Sequence, residues 1–129
     1  MRATVIFPDV ELAVTGYLRS RLINWPSPVR VSTSYQGKAL EVVVRRDGGP
    51  NLDQLREAAR VGINVYATSP TDQAVSDLAR QVSALMRAMP DGTPVLRVTQ
   101  SSGPSPIPES SGVTRRYLTF EVYVRGTQL

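Results

Sequence analysis

The chain has 129 residues, a formal net charge of +4, 41% hydrophobic and 20% charged residues, and neither cysteine nor histidine. That length suits one domain, expected to span residues 1–129, with enough chain to bury a core without staples. The composition is not that of a disordered chain or a membrane protein, and it excludes disulfides, thiol nucleophiles, histidine bases and the commonest metal ligands.

Residues 1–7 are too short a stretch to assign, although Val5, Ile6 and Phe7 need apolar cover. Asp9 then has the character of an N-cap and Glu11 adds negative charge to a first helical turn. Val10, Ala13, Val14, Tyr17, Leu18 and Leu22 recur at spacings of three and four, one apolar stripe of a helix. Gly16 inside it is expected to mark a close contact. Pro26 and Pro28 end the helix, with Trp25 as a hydrophobic plug. Residues 29–35 and 40–46 read as two strands of a hairpin turning at Gln36-Gly37-Lys38. Leu40, Val42 and Val44 share one face, and Glu41, Val43 and Arg45 the other.

After a turn at residues 47–50, residues 51–60 carry a helix-capping pattern, Asn51 with Gln54, and good helix formers. The preferred reading is a short helical or loop excursion, then a strand from about Arg60 to Thr68. The alternative is one long strand arm beginning near Arg56, and local propensity does not choose between them. Ser69 and Pro70 open the clearest helix, in which Val75, Leu78, Ala79, Val82, Leu85, Met86 and Met89 form an unbroken stripe. Its methionines read as core filler. Pro90-Asp91-Gly92 stops it.

The last third, residues 94–126, organises the rest. Residues 95–100 form a strand, and residues 117–126 form another in which Leu118, Phe120, Val122 and Val124 alternate with Tyr117, Thr119, Glu121, Tyr123 and Arg125. A sheet with that apolar face needs a cover, and the two helical stripes supply it. The expected fold is therefore α+β, in the order α-β-β-β-α-β-β. It has a mainly antiparallel sheet of about five strands and two amphipathic helices on one face.

No run of about 18 apolar residues and no basic-then-apolar leader occurs, so no transmembrane helix, signal peptide or membrane partner is expected. The carboxylates fall at helix starts, in turns and on strand faces, and no pair is forced together for acid–base work or metal binding. Gly48-Gly49-Pro50 lacks the features of a phosphate loop, and the serines of residues 101–111 have no histidine partner. Neither enzymatic activity nor a cofactor or metal is expected.

Lys38 is the only lysine, and the arginine bias is explained by a GC-rich genome as readily as by guanidinium chemistry. Arg45, Arg46, Arg56, Arg60, Arg115 and Arg116 form a candidate basic surface; the plainer reading is a solvated rim that keeps sheet edges from pairing. Tyr66, Tyr117 and Tyr123, on the face opposite the core, suit either a protein interface or base stacking. Between the last two strands lies SSGPSPIPESSG, residues 101–112. Loops that long inside a domain are unusual and often functional. It is expected to be a projecting arm, stiffened by prolines, whose Gly103, Pro104, Ser105, Pro106, Ile107, Pro108 and Glu109 meet a neighbouring subunit or partner.

Three stretches, PDVELAVTGYLRSRL, VGINVYATSPTDQAVSDLARQVSALMRAMPDG and VLRVTQSSGPSPIPESSGVTRRYLTFEVYVRG, resemble the tail terminator proteins of long-tailed bacteriophages in layout over nearly the whole chain. The resemblance implies a structural virion protein that assembles with itself into a homo-hexameric ring. The ring would cap the head-proximal end of the tail tube, end tube polymerisation and dock the head connector or stopper, after assembly in the host cytoplasm. Its implied partners are the tail tube protein, the connector or stopper, and DNA passing through without specific binding. The competing readings are another head–tail joining protein and a small nucleic-acid-binding module.

Overall fold

The computed structural model describes residues 4–53, 55–68, 72–90, 94–109 and 112–129. Asp9 caps α1 (Val10–Arg21), its carboxylate accepting the Leu12 N–H at 3.0 Å. This pairs one of the donors that every helix start leaves free. Glu11 in the first turn and Arg19 and Arg21 in the last complement the helix dipole. Val10, Val14 and Leu18 are buried, while Gly16 lies on the exposed side, where a Cβ would meet nothing within 4 Å. The close contact expected there is absent because the glycine is on the solvent side of the stripe. In α2 (Asp72–Ala88) the apolar stripe is buried except for half-buried Leu85, and Met86, with Met89 just beyond the helix, is a core residue as read from the sequence. The proposed cap Ser69 and Pro70, the stop Asp91 and Gly92, and Gln54 lie outside the described residues. The Tyr17 hydroxyl ties the helices together by donating to the Leu85 carbonyl at 2.7 Å.

Both helices lie on one face of a five-stranded sheet ordered β2 (Arg30–Ser32), β3 (Leu40–Arg46), β4 (Arg56–Ala67), β6 (Thr114–Arg125), β5 (Val95–Pro106). A two-stranded ribbon, β1 (Val5–Ile6) with β7 (Thr127–Gln128), closes one end. The neighbours β3, β4, β6 and β5 are antiparallel, which confirms the expected α+β class. Leu118, Phe120, Val122 and Val124 face Val61, Ile63 and the helices, each at most 1% exposed. Burial of each such side chain is worth about 1.5–3 kcal/mol.

Three local expectations are corrected. The first concerns residues 29–46, which are not a hairpin. Strand β2 runs parallel to β3, with Arg30 opposite Glu41, Val31 opposite Val42 and Ser32 opposite Val43. Parallel neighbours normally need a much longer crossover; here residues 33–39 suffice because Glu41 organises them. Its fully buried carboxylate accepts the Lys38 N–H at 2.6 Å, the Gln36 N–H at 3.1 Å and the Arg30 guanidinium at 3.1 Å. Arg19 of α1 also holds the Val31 carbonyl at 2.8 Å.

The second concerns residues 51–60, which do not form a helical excursion: β4 starts at Arg56, the alternative reading. Residues Arg56 to Ala59 pair with Arg125 to Val122, and Ala58 and Ala59 become buried. Strand pairing and burial override the helix propensity of that stretch.

The third concerns the presumed loop at residues 101–112. Ser101–Pro106 continue β5 along β6, with register shifts between Gln100 and Ser102 and between Ser102 and Ser105, so the arm is a long hairpin rather than an irregular excursion. Gly103, at φ +90°, has a reason to be glycine: a Cβ there would collide with the Tyr117 carbonyl.

Candidate interaction surfaces

Because strands alternate, the sheet face turned away from the helices collects the other half of β3, β4, β5 and β6. At one end Tyr66 packs against Tyr35, the rings tilted by 40° with centroids 4.4 Å apart. The Arg115 guanidinium sits 5.6 Å from the Tyr66 ring centre, donates to Asn64 Oδ1 at 2.7 Å and pairs with Glu109 at 3.0 Å. Partial burial pushes the Tyr66 hydroxyl above its ordinary range, with Arg115 pulling the other way. Glu109, from the tip of the arm, is thereby anchored to the sheet.

In the middle of the face Tyr117 lies over Gly62. A Cβ at that glycine would sit 2.7 Å from the Tyr117 hydroxyl and 2.8 Å from Asp47 Oδ2, so the missing side chain makes the space these two occupy. Burial, then the neighbouring Asp47 charge, pushes the Tyr117 hydroxyl up. Asp47, Arg60, Tyr117 and Glu121 border a groove of about 370 Å³. At the far end Tyr123 donates to Glu121 at 2.9 Å, and that bond is the chief reason its hydroxyl is also raised. Arg97 lies 5.5 Å from the Tyr123 ring centre.

The six arginines singled out in the sequence do not share a surface. Arg45, Arg56, Arg60 and Arg115 alternate onto the open face, whereas Arg46 and Arg116 stand opposite Val61 and Val65 on the helix-covered side. Arg46 pairs there with Glu57 at 2.7 Å, and Arg116 pairs with Asp72 at the start of α2. Of the others, Arg45 reaches Glu11 of α1 at 3.7 Å and Arg56 pairs with Asp53 at 2.7 Å, while Arg60 forms no ion pair among the described residues. Tyr66, Tyr117 and Tyr123 do lie on one face. The proposed arm residues Gly103 to Pro106 are exposed, as are Pro108 and Glu109, with Ile107 half-buried.

Sequence reasoning missed Tyr35, Arg97 and Asp47, whose places on this face depend on pairings across the sheet. It also missed an apolar cleft of about 540 Å³ between Leu55, Leu96, Arg56 and Arg125. The alternation of VLRV was a usable sign for Arg97; no local pattern marks the cleft, whose walls come from three strands' ends and a turn. Among the described residues no three carboxylates gather as a metal site. The carboxylates of the open face are engaged by arginine or tyrosine or lie beside Tyr117, so its chemistry is hydrogen bonding, stacking and ion pairing.

These features define a two-layer α+β protein with one sheet face open and a long hairpin extending one edge. The same fold occurs in a chain from the virion of a native gene transfer agent particle. That chain is 15% identical and superposes with a TM-score of 0.65 over 91% of this chain and 95% of the other. No protein-family model matches the sequence, and no curated protein matches it.

Proposed function

We propose that this protein is a non-catalytic structural subunit of a virion, forming a ring that caps the head-proximal end of a tail tube. In that position it ends tube polymerisation and offers the docking surface for the head connector. The observation that carries this reading is the likeness of fold, nearly end to end, to a chain of a gene transfer agent virion. The layout of the sequence and the hydrogen-bonding character of the open face agree with it. Particles assembled without the protein should carry tails of abnormally long and variable length under the electron microscope. Tails of normal length and normal head attachment would refute the role.

A nucleic-acid-binding role has one observation in its favour. Arg60 lies on the open face opposite Glu121, forms no ion pair among the described residues, and borders the same groove as Tyr117. It requires salt-dependent retention of oligonucleotides, and no retention at low salt would remove it.

A further inference from the structure

The two edges of the main sheet differ in a complementary way. One edge is β5, whose last part, Ser101–Pro106, is exposed and leads into Ile107, Pro108 and Glu109. The other edge is the short β2. Beside it, Pro28, Val29, Ala39 and Leu40 line a groove of about 380 Å³ with Arg30 and Lys38 at its border. Clefts that take side chains or small ligands span roughly 300–1,000 Å³.

The arm and the groove lie on the same transverse row of the sheet. Arg30 stands opposite Glu41, Glu41 opposite Tyr66 and Tyr66 opposite Arg115. Ile107 completes the row by donating its N–H to the Arg115 carbonyl at 3.1 Å.

We infer that the Pro106–Glu109 tip of one copy docks in the Pro28–Leu40 groove of the next. This deepens the ring reading and rests on it. A contact between unlike edges is heterologous, and such contacts form either closed rings or open filaments. Arm and groove share one row, so the contact would join the two edges at the same level along the strands.

The chemistry of the two surfaces matches. Pro104 and Pro106 lack N–H groups, so this edge is poorly suited to extension by another strand and engages through side chains instead. Proline-rich segments dock in apolar grooves with little conformational freedom left to lose. Ile107, held between two prolines, is the apolar side chain offered. Glu109 uses one oxygen for Arg115, and its other oxygen has no hydrogen bond among the described residues. Lys38 at the groove forms no ion pair among the described residues. The two charges are therefore opposite in sign and available to each other.

The absence of cysteine makes the contact directly testable. A tagged copy carrying Ile107→Cys is mixed with an untagged copy carrying Ala39→Cys and oxidised, with Pro108→Cys and Ser27→Cys as a second pair. The mixed disulfide should exceed either homodimer several-fold, and a chain carrying both changes should yield a closed covalent ring. Homodimers or uncrosslinked monomers alone would overturn the contact. Native mass spectrometry of the unaltered chain, alone and with tail tubes, separates the two levels of the argument. A ring without mixed disulfide overturns the arm–groove contact but leaves the ring; a chain that is monomeric in both settings overturns both.

Discussion

Glu41→Ala tests how a single buried carboxylate dictates the course of the chain at the β2 edge. The substitution removes the acceptor of the Lys38 and Gln36 N–H groups and the ion pair with Arg30. Hydrogen bonds to a charged group are worth about 1.5–3 kcal/mol each, so a plain sum for three donors overshoots. Lys38 and Gln36 are exposed, and water replaces much of what their N–H groups lose. The Arg30 pair is more enclosed, with side chains 28% and 0% exposed, and breaking a buried pair costs about 3–5 kcal/mol. The expected destabilisation is therefore about 3–4 kcal/mol, roughly 10–15 °C in Tm for a chain of this size.

Urea unfolding at constant m would measure the loss, and hydrogen exchange would show the Gln36 and Lys38 amides losing protection first. Glu41→Gln should recover little, because an amide presents one acceptor oxygen and turns an N–H₂ toward donors. A loss below about 1 kcal/mol with unchanged exchange at both amides would refute the claim that Glu41 holds residues 33–39 in place.

Two further outcomes follow from the open face and the arm. Tyr66, Tyr117 and Tyr123 are all raised in the folded chain, so the unfolded chain loses these protons first, near pH 10. Stability from them is complete below that pH and falls as pH rises toward the folded values. Denaturant midpoints across the alkaline range should decline, and Asp47→Asn should lower the Tyr117 titration seen by ultraviolet absorbance; an unmoved titration would contradict the assigned cause. Gly103→Ala places a Cβ against the Tyr117 carbonyl at a backbone angle that alanine rarely adopts. It should release the distal part of β5, with faster exchange of the Ser102 and Ser105 amides, while the protection of Phe120 is kept. Unchanged exchange at those serines would contradict the crowding argument.

The residues of residues 72–89 and 117–125 were legible from the sequence because their periodicity is strong and coincides with burial. Val75 to Met89 repeat at helical spacing, and Leu118 to Val124 alternate; in each case the physical pattern is local. The N-cap at Asp9 was legible for the same reason, since its acceptor reaches only Leu12. Tyr66, Tyr117 and Tyr123 were assigned to the face opposite the core by alternation alone.

Three features depended on contacts between residues far apart in the chain. Residues 56–59 are strand because β6 supplies their hydrogen bonds and Ala58 and Ala59 are buried, although their intrinsic preference is helical. The division of the arginines into two faces required the register that puts Arg46 opposite Val61 and Arg116 opposite Val65. The parallel course of β2 turned on Glu41, which read as an ordinary strand-face carboxylate until its fully buried position and three donors were seen. Local periodicity and capping determined which segments are helices and strands and which sides of them are apolar. Pairing across the sheet decided strand length, direction and face, because a hydrogen-bonded register is a property of two segments and neither one carries it alone.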